Sequence, residues 1–173
     1  MDRVIVGLLG FAVAGAQIET GASSDVREVI DGIVSDLRPV AEKAQTTLVV
    51  EPGPDVEVAC TPGALTSAIT NLVGNAVKYI VDGSATERRV AIRSALRGDV
   101  VRIEVEDNGP GLRPGAETAV FEPFRRATTG RQPGLGIGLA TVKRIADAHH
   151  GQVGVINRPG AGATFWIELP RAG

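Results

Sequence analysis

The chain has 173 residues, a net charge of -2 and 43% hydrophobic residues, so its length suits one domain with a buried core. One tryptophan, one tyrosine and four phenylalanines, without a basic excess, argue against nucleic-acid binding. A single cysteine, Cys60, excludes an internal disulfide and fits a reducing compartment. We expect Cys60 to be buried in a short strand.

An apolar run near the start of the chain, Val4–Ala16, is the one segment whose composition suggests a membrane. It is shorter than the roughly 20 residues of a spanning helix, glycines interrupt it, and the residues before it make a poor signal-peptide leader. We therefore expect no membrane segment in this chain. We interpret the run as a packing helix, or the end of one, and as a candidate dimer surface.

Helical periodicity first appears after a break at Gly21–Ser24. Apolar residues recur at helical spacing over Val26–Ala41, which predicts an amphipathic helix with Ser24 as its N-cap. The next segments, Thr46–Glu51 and Val56–Cys60, are predicted strands on either side of a tight turn.

A second helix is predicted to begin at Thr61–Pro62, with threonine as N-cap and proline at the first helical position, and to end near Tyr79. Its apolar side is expected to be buried, and its other side carries Asn71, Asn75 and Lys78. Two amide oxygens followed by a cation suit Mg²⁺ and substrate phosphates, whereas a merely solvated face would more naturally carry other residues. From this helix alone, the pattern fits a metal–phosphate site and a solvated face equally well.

Two alternating segments, Arg88–Leu96 and Val100–Glu106, predict a β-hairpin. The second leads to Asp107 and then to a loop containing Gly109 and Gly111. A carboxylate at the end of a buried strand, beside backbone that a ligand can approach, suits a flat polar group such as a nucleobase. Taken alone, Asp-Asn-Gly is also ordinary turn chemistry.

The segment Leu112–Gly134 is rich in Pro, Gly, Arg and Thr and has no clear periodicity. Such a long irregular stretch inside a domain is more often a functional lid than a passive connection. Phe121 and Phe124 are predicted to pin its ends. Arg125 and Arg126 have the charge to meet phosphate, although exposed loop arginines explain them equally well.

A second glycine series, Gly134–Ala140, leads into a helix that is predicted to end at His149–His150. Glycines before a helix expose N–H groups at the positive end of the helix dipole, which suits phosphate, although a flexible linker looks similar. A final hairpin of Gln152–Asn157 and Ala163–Leu169 is predicted to close a single domain.

Four stretches follow one another in this order: Asn71–Tyr79 (NLVGNAVKY), Asp107–Gly111 (DNGPG), Phe121–Phe124 (FEPF) and Gly134–Ala140 (GLGIGLA). With the closing Gly162–Pro170, they resemble the ATP-binding catalytic domain of sensor histidine kinases, in the superfamily that includes gyrase, Hsp90 and MutL. The resemblance covers roughly residues 24–170. It implies an α/β (α+β) fold: a two-layer sandwich with a mixed sheet, helices on one face and a mobile ATP lid.

The resemblance also implies site residues, with ATP and Mg²⁺ as the ligands. Asp107 would accept a hydrogen bond from the adenine amino group, with Thr164 supporting the same water network. Asn75 would hold Mg²⁺ with Asn71 nearby, Lys78 would contact phosphate, and these three would form the catalytic set. The remaining implied ATP-binding residues are Tyr79, Gly109, Gly111, Leu112, Phe121, Arg126, Gly134, Leu135, Gly136, Ile137, Gly138 and Leu139.

One position bears on mechanism. Superfamily members that hydrolyse ATP resemble one another in having a glutamate one helical turn before the magnesium-binding asparagine. That position is Asn71 here, and a carboxamide cannot accept a proton at neutral pH. We therefore expect slow hydrolysis and transfer of the γ-phosphoryl group to an external nucleophile.

The phosphoacceptor that the resemblance requires is missing from this chain, whose histidines, His149 and His150, are expected to be structural. We expect residues 1–22, including Gln17–Gly21, to be the remnant of a dimerisation helix and linker, and residues 23–173 to be the catalytic domain. The implied acceptor is a histidine on a dimerisation domain, on the same longer kinase or on a separate chain. A response regulator would act downstream, in the cytoplasm or on the cytoplasmic side of a membrane-bound sensor.

Two alternatives stay open on the sequence. An anti-sigma-factor kinase of the same superfamily would transfer to serine, although Gln17–Gly21 argues against it. A nucleotide-binding regulatory module without transferase activity would only reshape a partner surface when its lid closes, although none of the motifs is degenerate.

Overall fold

The structure, a computed structural model, describes residues 21–125 and 136–173. The predictions for residues 1–20, Arg126, Gly134 and Leu135 therefore lie outside the described residues. In chain order the α-helices and strands are β1 (Ser24–Asp25), α1 (Val26–Lys43), β2 (Thr46–Val50), β3 (Glu57–Val58), α2 (Pro62–Tyr79), β4 (Arg88–Arg97), β5 (Val100–Asp107), α3 (Gly138–Ala148), β6 (Gln152–Arg158) and β7 (Gly162–Pro170). Two short 3₁₀ helices, Ile80–Asp82 and Ala119–Phe121, lie between them.

The main sheet of the described residues has five strands in the order β2-β4-β5-β7-β6. β2 pairs in parallel with β4, and the other neighbouring pairs are antiparallel, so the sheet is mixed. A separate antiparallel pair joins β1 to β3. The two predicted hairpins, β4–β5 and β6–β7, are both confirmed.

The residues of β5 explain why the molecule has two layers. Val101, Ile103 and Val105 are buried, and the residues between them are partly exposed. This alternation turns one face of the sheet toward α1, α2 and α3, whose apolar residues share a single core with it. The predicted α/β sandwich with helices on one face is therefore confirmed.

The opposite face of the sheet is charged. Arg93 forms ion pairs with Glu104, at 2.7 Å, and with Glu106, while Arg102 pairs with Glu168 at 2.6 Å. These side chains are partly buried, and their charges allow this face to meet water. The candidate site residue Asp107 is buried on the other face, the one that the helices cover.

Helix α2 begins as the sequence predicts. The Thr61 hydroxyl oxygen accepts a hydrogen bond from the Ala64 N–H at 3.3 Å, and Pro62 occupies the first turn, where its missing N–H has no helical partner to lose. Local chemistry thus fixes the start of the helix that carries Asn71, Asn75 and Lys78.

The predicted cap of the first helix is wrong. Asp25 caps α1, since its carboxylate accepts from the Glu28 N–H at 2.7 Å. Ser24 instead pairs with Val58 across β1 and β3 and donates its hydroxyl to the Cys60 carbonyl at 2.6 Å. Cys60 is buried as expected, but it follows β3 rather than lying in it, and burial raises the pKa of its thiol to about 11.

Candidate functional site

Asp107 is the last residue of β5 and is 8% exposed. Burial raises the pKa of its carboxyl, and hydrogen bonds from the backbone N–H groups of Gly109 and Ala163 partly offset this rise. The Gly109 N–H donates to Asp107 Oδ1 at 2.9 Å. A buried carboxylate with remaining acceptor capacity is suited to receive a hydrogen bond from a ligand.

The glycines after Asp107 lie where no side chain fits. A methyl group on Gly109 would lie 2.9 Å from Asp107 Oδ1 and 3.0 Å from the Cα of Ile80. Gly111 has a φ of +69°, and a methyl group there would lie 2.8 Å from the Arg158 carbonyl. Glycine at both positions therefore packs this loop closely onto its neighbours, and the predicted approach of this backbone to a ligand stays a prediction.

Asn108, which was not predicted as a site residue, fixes the start of this loop. Its Oδ1 accepts from the Arg89 N–H at 2.9 Å, and its Nδ2 donates to the Glu87 carbonyl at 2.7 Å. The carboxamide therefore satisfies backbone groups at the start of β4 and ties the loop to it.

The asparagine side of α2 faces the start of α3. Asn71 Nδ2 donates to the Ser67 carbonyl at 2.9 Å, which directs the other end of the carboxamide away from its own helix. A methyl group on Gly138 would lie 2.8 Å from Asn71 Oδ1 and 3.5 Å from Asn75 Nδ2. The structure thus brings together the asparagine motif and the glycine motif, which are more than 60 residues apart in the chain.

The start of α3 offers N–H groups to an anion. Gly138 is the first residue of this helix, and the cap residue, Ile137, has no side-chain acceptor for the N–H groups of the first turn. Within residues 21–125 and 136–173, no side chain caps these N–H groups, which lie at the positive end of the helix dipole beside the two asparagines.

Lys78 and Tyr79 contact each other. Lys78 Nζ donates to the Tyr79 hydroxyl at 3.0 Å and lies 4.5 Å from the centroid of the Tyr79 ring. Both side chains are partly buried near the end of α2. The predicted phosphate-contacting lysine is thus held close to its own helix by its neighbour.

Helix α2 spans the two ends of the site. Ile80, which follows the helix, lies against Gly109, and Asn71 faces Gly138. At 1.5 Å per residue these contacts are about 13 Å apart along the helix. A ligand with a flat polar group at one end and anionic groups at the other fits this arrangement.

The flanks of the predicted lid are held differently from the prediction. Phe121 is buried and packs edge-to-face on Phe165, with ring centroids 6.2 Å apart, so it pins one end as expected. Phe124 is 66% exposed and does not pin the segment by its side chain. Instead, its backbone N–H donates to the Gly136 carbonyl at 3.0 Å, so the flanks meet through backbone.

The apolar residues predicted around the ligand are buried. Leu112 and Phe121 form a small core cluster with Val120, against which Leu139 packs, and Ile137 is also buried. These residues form a packed apolar layer beneath the lid flanks and do not line an open surface.

Thr164 does not lie beside Asp107. In the β5–β7 pairing, Asp107 is opposite Ala163, and Thr164 is opposite Glu106 on the other face of the sheet. Thr164 Oγ1 accepts there from Arg158 Nη2 at 3.2 Å. The predicted support of an Asp107 water network by Thr164 is therefore inconsistent with this register, because a shift of one residue along a strand reverses the face.

The two histidines lie where predicted, at the end of α3. His149 is the C-cap and is buried, and burial lowers the pKa of its imidazole. In the residues described, no cluster of three or more His, Cys, Asp or Glu side chains could hold a metal ion. A divalent cation beside Asn71 and Asn75 would therefore depend on carboxamide and ligand oxygens.

Sequence comparison identifies the family. Residues 60–173 match the family described as histidine kinase-, DNA gyrase B-, and HSP90-like ATPase, and the chain belongs to it. The sensor-like histidine kinase SenX3 of Mycolicibacterium smegmatis is 33% identical over 84% of this chain, and the sensor protein GacS of Pseudomonas syringae is 32% identical over 92%. The chain spans 38% and 18% of the length of these two relatives.

Solved structures agree with this assignment. Full-length ShkA in complex with AMPPNP has a TM-score of 0.79 at 31% identity, covering 98% of this chain and 35% of that protein. The ATP-binding domain of PrrB from Mycobacterium tuberculosis has a TM-score of 0.70 at 26% identity, covering 90% of this chain and all of that domain. The chain is thus an ATP-binding domain of the histidine kinase type. No helix within residues 21–125 and 136–173 is long and apolar enough to cross a membrane.

Proposed function

We propose that this chain binds Mg-ATP along α2 and transfers the γ-phosphoryl group to a histidine on a dimerisation domain. Asp107 and its glycine loop receive the adenine, while Asn71, Asn75, Lys78 and the start of α3 receive the metal and phosphates. The observation that carries the proposal is the contact of Asn71 and Asn75 with Gly138, because it joins a cation-binding pair of carboxamides to an anion-binding helix end.

The residues beside Gly138 fit a magnesium ion that shares its ligands with ATP. Mg²⁺ prefers oxygen ligands and usually keeps few protein ligands when it binds substrate phosphates. Asn75 and Asn71 would supply carboxamide oxygens, and the missing side chain of Gly138 lets the start of α3 lie close to both carboxamides. When bound, the ion would neutralise phosphate charge.

In this proposal the protein positions ATP for phosphoryl transfer and does not abstract a proton from water. Asn71 stands where a hydrolytic relative would need a base, and its Nδ2 is already committed to the Ser67 carbonyl. A carboxamide cannot take a proton from water at neutral pH. Phosphoryl transfer needs mainly alignment and charge stabilisation, so an external imidazole can serve as the nucleophile.

The acceptor lies outside the catalytic domain in this proposal. His149 is buried at the end of α3 and unsuited to attack, and the exposed His150 lies at the opposite end of this helix from Gly138. The relative SenX3 is named as a sensor-like histidine kinase and GacS as a sensor protein, and both are much longer than this chain. We therefore assign the acceptor to a dimerisation domain, on the same polypeptide or another, with a response regulator downstream in the cytoplasm.

The test is a transfer assay with defined acceptors. The chain is mixed with dimerisation domains, Mg²⁺ and ATP labelled at the γ-phosphate, and the phosphorylated product is exposed to acid. We expect acid-labile phosphate on the acceptor histidine and its loss when that histidine is replaced by glutamine. The Asn75→Ala variant should lose transfer, whereas the distant Gly32→Ala variant should retain it.

Two results would contradict the proposal in different ways. Acid-stable phosphate on a serine would favour the anti-sigma-factor kinase. Tight ATP binding without transfer to any acceptor tested would favour a regulatory module.

A further inference from the structure

Asn157 is a polar residue on the apolar face of a strand. In β6 it follows Val153 and Val155 in the alternation, and these face the core cluster under the lid flanks. Its carboxamide is satisfied by groups outside its own strand. Oδ1 accepts from the Leu112 N–H at 2.8 Å, and Nδ2 donates to the Leu112 carbonyl at 3.1 Å and to Glu117 Oε1 at 2.9 Å.

The strand register places Asn157 in one row across the sheet with Asp107, the carboxylate assigned to adenine. Asn157 pairs with Ala163, and Ala163 pairs with Asp107, so the three side chains share one face of the sheet. Neighbouring strands are about 4.8 Å apart, so Asn157 lies about 10 Å from Asp107 across β7. The small side chain of Ala163 lies between them.

The loop that leaves Asp107 crosses this row and ends at Asn157. Its first part is tied to Asp107 through the Gly109 N–H, and its middle is tied to the β6–β7 turn, where the Gly160 N–H donates to the Pro110 carbonyl at 2.8 Å. Its last residue, Leu112, is held by both polar ends of the Asn157 carboxamide.

The two bonds to Leu112 require a carboxamide. Leu112 is 7% exposed, so its N–H and carbonyl would lack partners without Asn157, and an unpaired buried backbone group is costly. A carboxylate at this position would still accept from the N–H but would face the Leu112 carbonyl and Glu117 without a proton to donate. Hydrogen bonding by Asn157 also lowers the pKa of Glu117.

We propose that Asn157 is a positioning residue for nucleotide binding, which acts by fixing the far end of the loop Asn108–Leu112 that frames the adenine. The inference rests on the proposed binding of Mg-ATP. It assigns to Asn157 an effect on the adenine end of the nucleotide, since its contacts lie there and not beside Asn71, Asn75 or Gly138.

The experiment compares Asn157→Ala with Glu117→Ala, which removes one of the three contacts and leaves Leu112 held. Calorimetric titration with Mg-ATP and with Mg-ADP should show about tenfold weaker binding of both for Asn157→Ala and less than about threefold for Glu117→Ala. In the transfer assay, the KM for ATP should rise while the rate at saturating ATP is unchanged. Amide exchange at Leu112 should accelerate in Asn157→Ala.

A polarity swap keeps the inference testable if Asn157→Ala does not fold. Asn157→Asp should bind weakly, and adding Glu117→Gln, whose amide can donate to the new carboxylate, should recover part of the affinity. The Asp107→Asn variant serves as the binding-site control.

The outcomes separate this inference from the proposed function. Affinity within twofold of wild type in Asn157→Ala, with binding lost in Asp107→Asn, would overturn the role of Asn157 alone. Absence of recovery in the double variant would overturn it as well. Failure of the wild-type protein to bind Mg-ATP would overturn the proposed function.

Discussion

The two ends of the candidate site are held in place to different degrees. The adenine-side loop Asn108–Leu112 is bonded to β4, to Asp107, to the β6–β7 turn and to Asn157. Among the side chains assigned to the metal and phosphates, Asn71 and Lys78 are bonded to groups of their own helix, Ser67 and Tyr79. Under the proposed function, this difference among the described residues implies that adenine recognition is built into the free protein, whereas phosphate recognition is completed when the nucleotide arrives.

The largest effect should come from Gly111→Ala, because Gly111 lies in the firmly bonded adenine-side loop. The residue has a positive φ, and the new methyl group would meet the Arg158 and Gly162 carbonyls at 2.8 and 3.0 Å. Left-handed strain and backbone overlap together should lower the free energy of unfolding by about 3 kcal/mol. Urea unfolding measures this loss.

Gly115→Ala is the matched control for that change. Gly115 also has a positive φ, but nothing lies within 4 Å of the position of the methyl group. Its loss should be about 1 kcal/mol, from strain alone. Equal losses at the two glycines would contradict the tight packing of the adenine-side loop.

The next largest effect is expected at Gly138, on the phosphate side. Gly138→Ala should keep or raise stability, since alanine favours helix and the Asn71 carboxamide it meets can move. The methyl group should nevertheless weaken Mg-ATP binding about tenfold while leaving adenosine binding unchanged. Gly32 in α1 has open space around it, so Gly32→Ala should leave the binding of both Mg-ATP and adenosine unchanged. Equal losses for ATP and adenosine would argue against a phosphate site here.

A smaller effect is expected for Tyr79→Phe. The change removes the hydroxyl that accepts from Lys78 Nζ but keeps the ring beneath it. ATP binding should weaken by about threefold, the size of one modest hydrogen bond, because the hydroxyl holds Lys78 Nζ in place while it contacts phosphate; adenosine binding should not change. Lys78→Met should weaken ATP binding more. If calorimetry finds the same ATP affinity for Tyr79→Phe and wild type, the hydrogen bond from Lys78 to Tyr79 does not contribute to ATP binding.

The smallest effect concerns pH and the stability of the nucleotide-free protein. Burial raises the pKa of Asp107, so its protonated form favours folding, and this contribution is present below the unfolded pKa and lost as pH rises through the folded pKa. Relative to wild type, Asp107→Asn should therefore be more stable near pH 7 than near pH 4. The free energies of unfolding of both proteins are measured with urea at each pH. Subtracting one from the other removes the contributions of the other carboxylates, which the two proteins share. A difference that does not vary with pH would contradict the burial argument.

Sequence alone sufficed where the determining interactions are local. The Thr61–Pro62 start of α2 and the alternation of β5 depend on near neighbours, so the asparagine face and the position of Asp107 were predicted correctly. The assignment of Ser24 as a cap failed because a pairing with Val58, distant in sequence, draws it into β1.

Other residues depend on contacts that no local pattern determines. Thr164 was expected beside Asp107, but the register of β5 with β7 puts it on the opposite face. Asn157 contacts Leu112, 45 residues away, and the available signal was a polar residue at an inward position of an alternating strand. Phe124 was expected to pack like Phe121, and only the folded chain reveals that it is exposed.

The most direct test of the account is calorimetric titration of Asp107→Asn with Mg-ATP, beside wild type and the outer-face variant Thr164→Val. Loss of the carboxylate removes a charge-assisted acceptor and turns a donor toward the adenine amino group, so affinity should fall about 100-fold. Thr164→Val should bind like wild type, because its side chain lies on the other face of the sheet. Unchanged affinity in Asp107→Asn would contradict the account.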